Sequence, residues 1–244
     1  MKDPAKELLY HIEEGFKKRH AHFEKLREGN KLHATNLIDF CPREYALCLH
    51  HKLMFNAGRP TSLAQKVTYE IGRRIEAMVI EALVVEKVVV NIENIACSCA
   101  SPYPILFTPD IFVQFNVKDI PYIVEVKSIK PEAFDVLETA QVTHECQLSL
   151  YLWFASLLKM KVHTEDGLIL YVVKTQKPMP MKCFHIRRNE DFIKRVQTQL
   201  DELKTFSKKK VLPKRICNSP LALMAKRCQK GVVELCFKDI EDEK

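Results

Sequence analysis

No stretch of this 244-residue chain approaches the run of about 18 uncharged apolar residues that a membrane-spanning helix requires, so no span is expected. The opening residues, Met1-Lys2-Asp3-Pro4-Ala5-Lys6-Glu7, lack the apolar core of a secretory signal. An intracellular, reducing, cytoplasmic setting is therefore the expectation. Internal repeats and low-complexity segments are also missing, so neither a repeat array nor a biased tether organises the chain. Charge of one sign is not extreme: the formal net charge is +7 and the pI about 8.9. That balance raises the odds of a nucleic-acid partner only modestly. What is present suffices for a real core, since 47% of the residues are apolar. The length allows one large domain or two modest ones. Nine cysteines are an odd set in a chain too large to need staples, which favours thiols or cluster ligands over disulfides.

The pattern along the chain alternates between helical and strand periods. Residues 4–28 read as a charged amphipathic helix ended by Gly29-Asn30, and 34–53 as a second helix. Asn56-Ala57-Gly58-Arg59-Pro60 is a loop. Residues 63–85 form a third helix, with Val67, Ile71, Ile75, Met78, Val79 and Leu83 recurring near three and four positions. Segments 88–99, 107–116 and 121–128 read as strands. Pro131 suits the first turn of a helix running to about 158. Strands follow at 168–175 and 181–187, then a helix from Asn189 and Asp191 to about 207. This order predicts an α/β fold, a mixed central sheet flanked by helices. Residues 1–62 make an N-terminal helical region, 63–207 the core, and 208–244 a cysteine-bearing tail.

The chemistry concentrates on two consecutive strand segments. Asp110 interrupts the apolar run Phe107-Thr108-Pro109-Asp110-Ile111-Phe112-Val113, and Glu125 and Lys127 interrupt Tyr122-Ile123-Val124-Glu125-Val126-Lys127-Ser128. Period-two alternation puts Glu125 and Lys127 on one face, and neighbouring strands lie about 5 Å apart. Asp110, Glu125 and Lys127 can thus converge. Two carboxylates suit a hard divalent cation, and an ammonium beside them suits phosphodiester hydrolysis. Glu76, in Gly72-Arg73-Arg74-Ile75-Glu76, lies beside the apolar stripe of its helix and can offer a third carboxylate. Gln147 and Tyr151, four residues apart in His144-Glu145-Cys146-Gln147-Leu148-Ser149-Leu150-Tyr151, share a helical face. They either brace the site or simply hydrogen-bond at the edge of the core.

The cysteines divide into two groups. Cys41 precedes Pro42-Arg43, and Cys217, Cys228 and Cys236 sit in a basic, polar tail with little core to fill. One upstream and three downstream thiolates make a four-ligand set for an iron–sulfur cluster or a structural zinc. Cys48 rivals Cys41. Cys97, Cys99, Cys146 and Cys183 fall within strands or a helix and read as packing residues.

Taken together, Gly72-x3-Glu76, Pro109-Asp110, Glu125-Val126-Lys127 and Gln147-x3-Tyr151 resemble the PD-(D/E)XK nuclease superfamily, most closely its RecB-like branch with the CRISPR-associated adaptation exonucleases. The resemblance spans roughly 35–240. It implies a Mg²⁺- or Mn²⁺-dependent deoxyribonuclease, often exonucleolytic on single strands, acting on DNA strands or duplex ends. It implies that Asp110, Glu125, the Val126 carbonyl and Glu76 hold the metal, that Lys127 orients the attacking water, and that Gln147 and Tyr151 position substrate. Arg43, Arg73, Arg74 and the 208–215 run become candidate backbone contacts. Cys-Pro-Arg at 41–43 is similar to the first ligand segment of relatives in which four cysteines hold a 4Fe-4S cluster. The chain departs from those relatives in two ways. Many carry histidine where Glu76 stands, and the tail cysteines, separated by ten and seven intervening residues, are more widely spaced. Zinc stays open beside iron–sulfur. A silent DNA-binding or recombination accessory and a transposon- or restriction-type endonuclease stay open beside an exonuclease. Recombination, repair, CRISPR adaptation and the DNA processing of a virus inside its host cell are all compatible.

Overall fold

A computed structural model describes residue 14 and residues 32–55, 62–88, 95–97, 100–174, 180–228 and 230–238. The helix predicted for 4–28 and the loop at 56–60 lie outside the described residues, residue 14 apart. Two sheets carry the architecture. The smaller has the order β1 (Leu32–His33), β3 (Ile105–Phe107), β2 (Ile95–Cys97). The larger has the order β4 (Ile111–Val113), β5 (Tyr122–Ile129), β6 (Asp166–Val173), β7 (Met181–Arg187). Its pairings run antiparallel, parallel, antiparallel, so the sheet is mixed, as the element order predicts.

Each face of the larger sheet is covered because alternate residues are apolar on both sides. On one face α2 (Leu63–Val85) lays Ile75 and Val79 against Ile111, Val113, Val124, Val126 and Val172. Ser62 caps this helix in a capping box with Gln65. Gly72 brings the two layers close, since a Cβ there would lie 3.2 Å from Ser128 Oγ. On the other face Ile123, Ile129, Ile169, Tyr171 and Val173 pack into the main core with α4 (Val142–Leu157). Helix α4 is buried continuously from Cys146 to Ala155, which makes it the central rod of the molecule. Behind it runs α5 (Glu190–Lys209), started by Asn189, whose side chain accepts from Phe192 N, and ended by Lys210 in the left-handed region. Helix α1 (Pro42–His50) packs against both α5 and α6 (Lys230–Lys238).

The structure corrects several boundaries. The helix expected over 34–53 is a 3₁₀ turn, Ala34–Leu37, followed by α1; Pro42 holds the preceding Cys41 in extended backbone and so starts a new helix. The strand expected over 107–116 is two strands in different sheets. Pro109 lacks the N–H a continuing ladder needs, and the chain crosses from β3 to β4 at Thr108-Pro109-Asp110. Of the strand expected over 88–99, Val88 lies in no strand and Ile95–Cys97 form β2. The helix expected from Pro131 to 158 splits into α3 (Pro131–Asp135) and α4. At the break Lys182 Nζ donates to the carbonyls of Phe134 and Leu137, and Gln141 N donates to Tyr171 Oη. Cys183 is exposed on β7 rather than packed, while Cys146 is buried. Cys97 belongs to β2, and Cys99 lies outside the described residues. The tail carries a helix, α6, that the sequence pattern did not announce.

Candidate active site

The strand pairing brings the predicted carboxylates and the lysine to one place. Asp110 stands one residue before β4, whose Ile111 pairs with Val124, and its Oδ2 accepts from Val126 N at 2.7 Å. Glu125, 1% exposed, points to the α4 face. Its Oε1 accepts from Lys127 Nζ and from Gln147 Nε2, the latter at 2.6 Å. Lys127 Nζ also donates to Gln147 Oε1 at 3.0 Å, and Gln147 Nε2 lies 2.8 Å from Tyr151 Oη. Gln147 therefore ties the lysine, the carboxyl and the phenol together from one helical face. Glu76 reaches the same group from α2, near enough to act on the charges of both Asp110 and Glu125.

The electrostatics are those of an acidic site with too little positive charge. Burial lifts Glu76 to about 7, and the neighbouring Asp110 adds to the rise; Lys127 and Arg73 oppose it. Burial likewise raises Glu125, Asp110 pushes it further, and Lys127 pulls it back. Asp110 is raised by burial against the ammonium of Lys127 and the Val126 N–H. Burial also lifts the Tyr151 phenol, with Glu125 next, so it stays a neutral hydroxyl. Glu125 Oε2 is buried and receives no hydrogen bond from an N–H or a hydroxyl, and the carboxyl that shares a hydrogen bond with Glu125 is that of Asp110. A buried carboxylate oxygen left without a donor is costly. A hard cation is the partner that would satisfy it. The donor set, all oxygen and mostly carboxylate, fits Mg²⁺ or Mn²⁺. Among the described residues, however, no three His, Cys, Asp or Glu side chains close into a ready metal-holding group.

Two further polar side chains adjoin this set and stand out only in three dimensions. Tyr171, on β6, pairs in register with Lys127. Its Oη lies 2.8 Å from His144 Nδ1. His144 sits three residues before Gln147, one helical turn away, a spacing that the sequence does display.

The second predicted group also gathers. Cys41, Cys217, Cys228 and Cys236 line one cavity of about 20 Å³ together with Arg43, Glu44 and Arg215. Cys41 is the N-cap of α1, its Sγ accepting from Glu44 N at 3.5 Å. Cys228 follows the 3₁₀ turn Ala225–Arg227, and Cys236 lies on α6. Arg215 Nε donates to Cys236 O at 3.0 Å, and Arg43 Nη1 to Pro213 O at 3.0 Å, so both arginines clasp the tail. Burial pushes the Cys41 thiol to about 11 and the Cys228 thiol higher still, the nearby Glu44 and the other thiols adding to it. Cys48 is instead fully buried in the core and does not line this cavity. A space of this size holds about one water-sized particle. Among the described residues these cysteines, like the carboxylates, do not close into a ready metal-holding group.

No family model matches the chain, and no curated protein matches its sequence. Solved structures do. An alkaline exonuclease from Laribacter hongkongensis, LHK-Exo, superposes with a TM-score of 0.50 at 13% identity, over 74% of this chain and 89% of that one. The crystal structure of SSO0001 gives 0.46 at 17% identity, over 85% and 95%. LHK-Exo in complex with dAMP gives 0.45 at 11%, over 88% and 95%. At these identities the likeness is one of fold, and LHK-Exo carries it: helices flanking a mixed central sheet are an arrangement this chain shares with a nuclease.

Proposed function

We propose that this protein is a divalent-metal-dependent DNA nuclease, working as an exonuclease with a preference for single strands. The observation that carries the reading is the buried group Asp110, Glu125 and Lys127 with one carboxylate oxygen, Glu125 Oε2, left without an N–H or hydroxyl donor. Asp110, Glu125, the Val126 carbonyl and Glu76 would hold one or two Mg²⁺ or Mn²⁺ ions. The ion supplies neutralisation of the scissile phosphate and a more acidic water. The chain's own residues do the rest. Lys127, held by Glu125 and Gln147, orients the attacking water and stabilises the charge that grows on the phosphate. Gln147 keeps that ammonium and the Glu125 carboxyl in register, and Tyr151 braces Gln147 from below as a neutral hydroxyl. Arg73, Arg74 and the lysines of the 208–214 run give sequence-independent contacts to the backbone of DNA, whereas Arg43, buried and bound to Pro213 O, and Arg215, bound to Cys236 O, serve the tail instead. The likeness to LHK-Exo, an alkaline exonuclease, supports this assignment through the shared fold.

The core of the activity falls within 63–207, with 1–62 and 208–244 supplying Cys41 and the tail cysteines of a metal clip. Four thiols lining one cavity support a bound metal there, zinc or a 4Fe-4S cluster. A brown protein with visible absorption after anaerobic preparation marks the cluster, and stoichiometric zinc in a colourless protein marks the ion.

The deciding experiment measures cleavage of end-labelled single- and double-stranded DNA with and without Mn²⁺, for wild type, Asp110→Ala and Lys127→Ala. Wild type should cleave only with metal, and each variant should fall by at least about 100-fold. Equal cleavage by all three would end the enzymatic reading.

A further inference from the structure

His144 and Tyr171 form a polar pair that the chemistry above leaves unused. Tyr171 is completely buried, and its Oη accepts from Gln141 N at 2.9 Å. Inside the core an unpaired O–H is costly, and the remaining neighbour able to take the phenol's hydrogen is His144 Nδ1, 2.8 Å away, so the O–H is directed there. A ring nitrogen that receives an O–H cannot carry a proton itself. The neutral ring's proton is thereby placed on Nε2, on the opposite side. Among the described residues no hydrogen bond reaches Nε2. Burial, with the nearby Lys127 ammonium adding to it, lowers the ring to about 4, so the ring is neutral at physiological pH.

The position of the ring matters as much as its tautomer. Tyr171 neighbours Lys127 across the β5–β6 ladder, on the same face. His144 and Gln147 are one turn apart on α4, and Gln147 holds both Lys127 and Glu125. A half-buried ring is therefore held beside the lysine with one fixed, unspent donor.

Resting on the nuclease reading, we propose that His144 is a further substrate-contacting residue, donating from Nε2 to a phosphate oxygen of the DNA strand beside the scissile one, with Tyr171 as the positioning residue that fixes its tautomer. A neutral donor suits this place. It adds a directed hydrogen bond without a second positive charge to compete with the cation for the carboxylates.

Two amides separate this role from a merely structural one. The nitrogen of glutamine falls near the imidazole Nε2, and the amide of asparagine falls near Nδ1. His144→Gln keeps the outward donor and loses the Tyr171 contact; His144→Asn does the reverse. Binding of labelled single-stranded oligonucleotide in chelator is measured for both, with KM and kcat for cleavage in Mn²⁺ and Lys127→Ala alongside. The expected result is near-wild-type binding and KM for His144→Gln, and about tenfold weaker binding and higher KM for His144→Asn with kcat little changed. The reverse order, or no difference between the two, would overturn the proposal. Failure of the nuclease reading shows separately, as wild type that does not cleave or Lys127→Ala that cleaves equally well. The binding order of the two amides is read independently of that result.

Discussion

Replacing Glu76 by glutamine should stabilise the metal-free protein, and only above acidic pH. Burial and the neighbouring Asp110 raise this carboxyl from 4.5 to about 7 in the fold. Below pH 4.5 it is protonated both folded and unfolded, so the near-isosteric amide changes little. Between pH 4.5 and 7 the unfolded chain releases a proton that the fold retains, so stability falls as pH rises through that window and levels off above it. A fully desolvated group would cost about 3 kcal/mol at pH 8. Glu76 is partly open to solvent, and screening brings the figure to about 1–2 kcal/mol. In a chain of this size that is about 2–8 °C in melting temperature. Melting curves of wild type and Glu76→Gln in chelator, followed by circular dichroism from pH 4.5 to 8.5, should therefore diverge with rising pH, the variant becoming the more stable. Mn²⁺ should raise the wild type and narrow the gap, because the cation relieves the repulsion the amide removes. A gap that is constant across pH, or a variant less stable at pH 8, would show that these carboxyls are not held against burial and one another.

Other consequences are sharper in sign than in size. Gln147→Leu removes a donor from Glu125 and an acceptor from Lys127 inside the fold, so it should cost about 1–3 kcal/mol in denaturant unfolding and reduce cleavage together. A stable variant with full activity would contradict the bracing role. At Gly167 a Cβ would meet Ile123 O and Leu148 Cδ1 at 3.0 Å each, so Gly167→Ala should destabilise by about 1–3 kcal/mol, read from the urea midpoint. Cys228→Ser should lower the metal content of the purified protein while Cys48→Ser leaves it unchanged, measured by elemental analysis, because only the former lines the thiol cavity. Equal losses would detach the metal from that cavity.

What the sequence made legible followed from period. The 3.6-residue stripe of 63–85 returned as α2 with those bounds, and the alternation of 181–187 returned as β7. Glu125 and Lys127 share the α4 face because side chains alternate along β5, a rule that needs no tertiary knowledge. Contacts from far along the chain were not legible. The α3–α4 break depends on Lys182 and Tyr171, more than thirty residues from the carbonyl and amide groups they engage in two cases and thirty in the third. Helix α6 lies in a tail whose cysteines and charges obscure its apolar side, although Val232 is buried against the core.

The most consequential misreading was the single strand expected across 107–116, and its correction explains the site. An unbroken strand would have kept the Asp110 backbone in a ladder like its neighbours'. Because Pro109 cannot donate, the chain leaves the small sheet at Phe107 and enters the large one only at Ile111. Asp110 occupies the crossing, free of strand pairing, and its carboxylate instead receives the Val126 amide at 2.7 Å, between Glu125 and Lys127. The break that defeats the periodic pattern is thus what aims a carboxylate at the edge of β5. Local pattern fails where the fold has to gather charge, and for the same reason Pro109 and Asp110 belong together as one structural device.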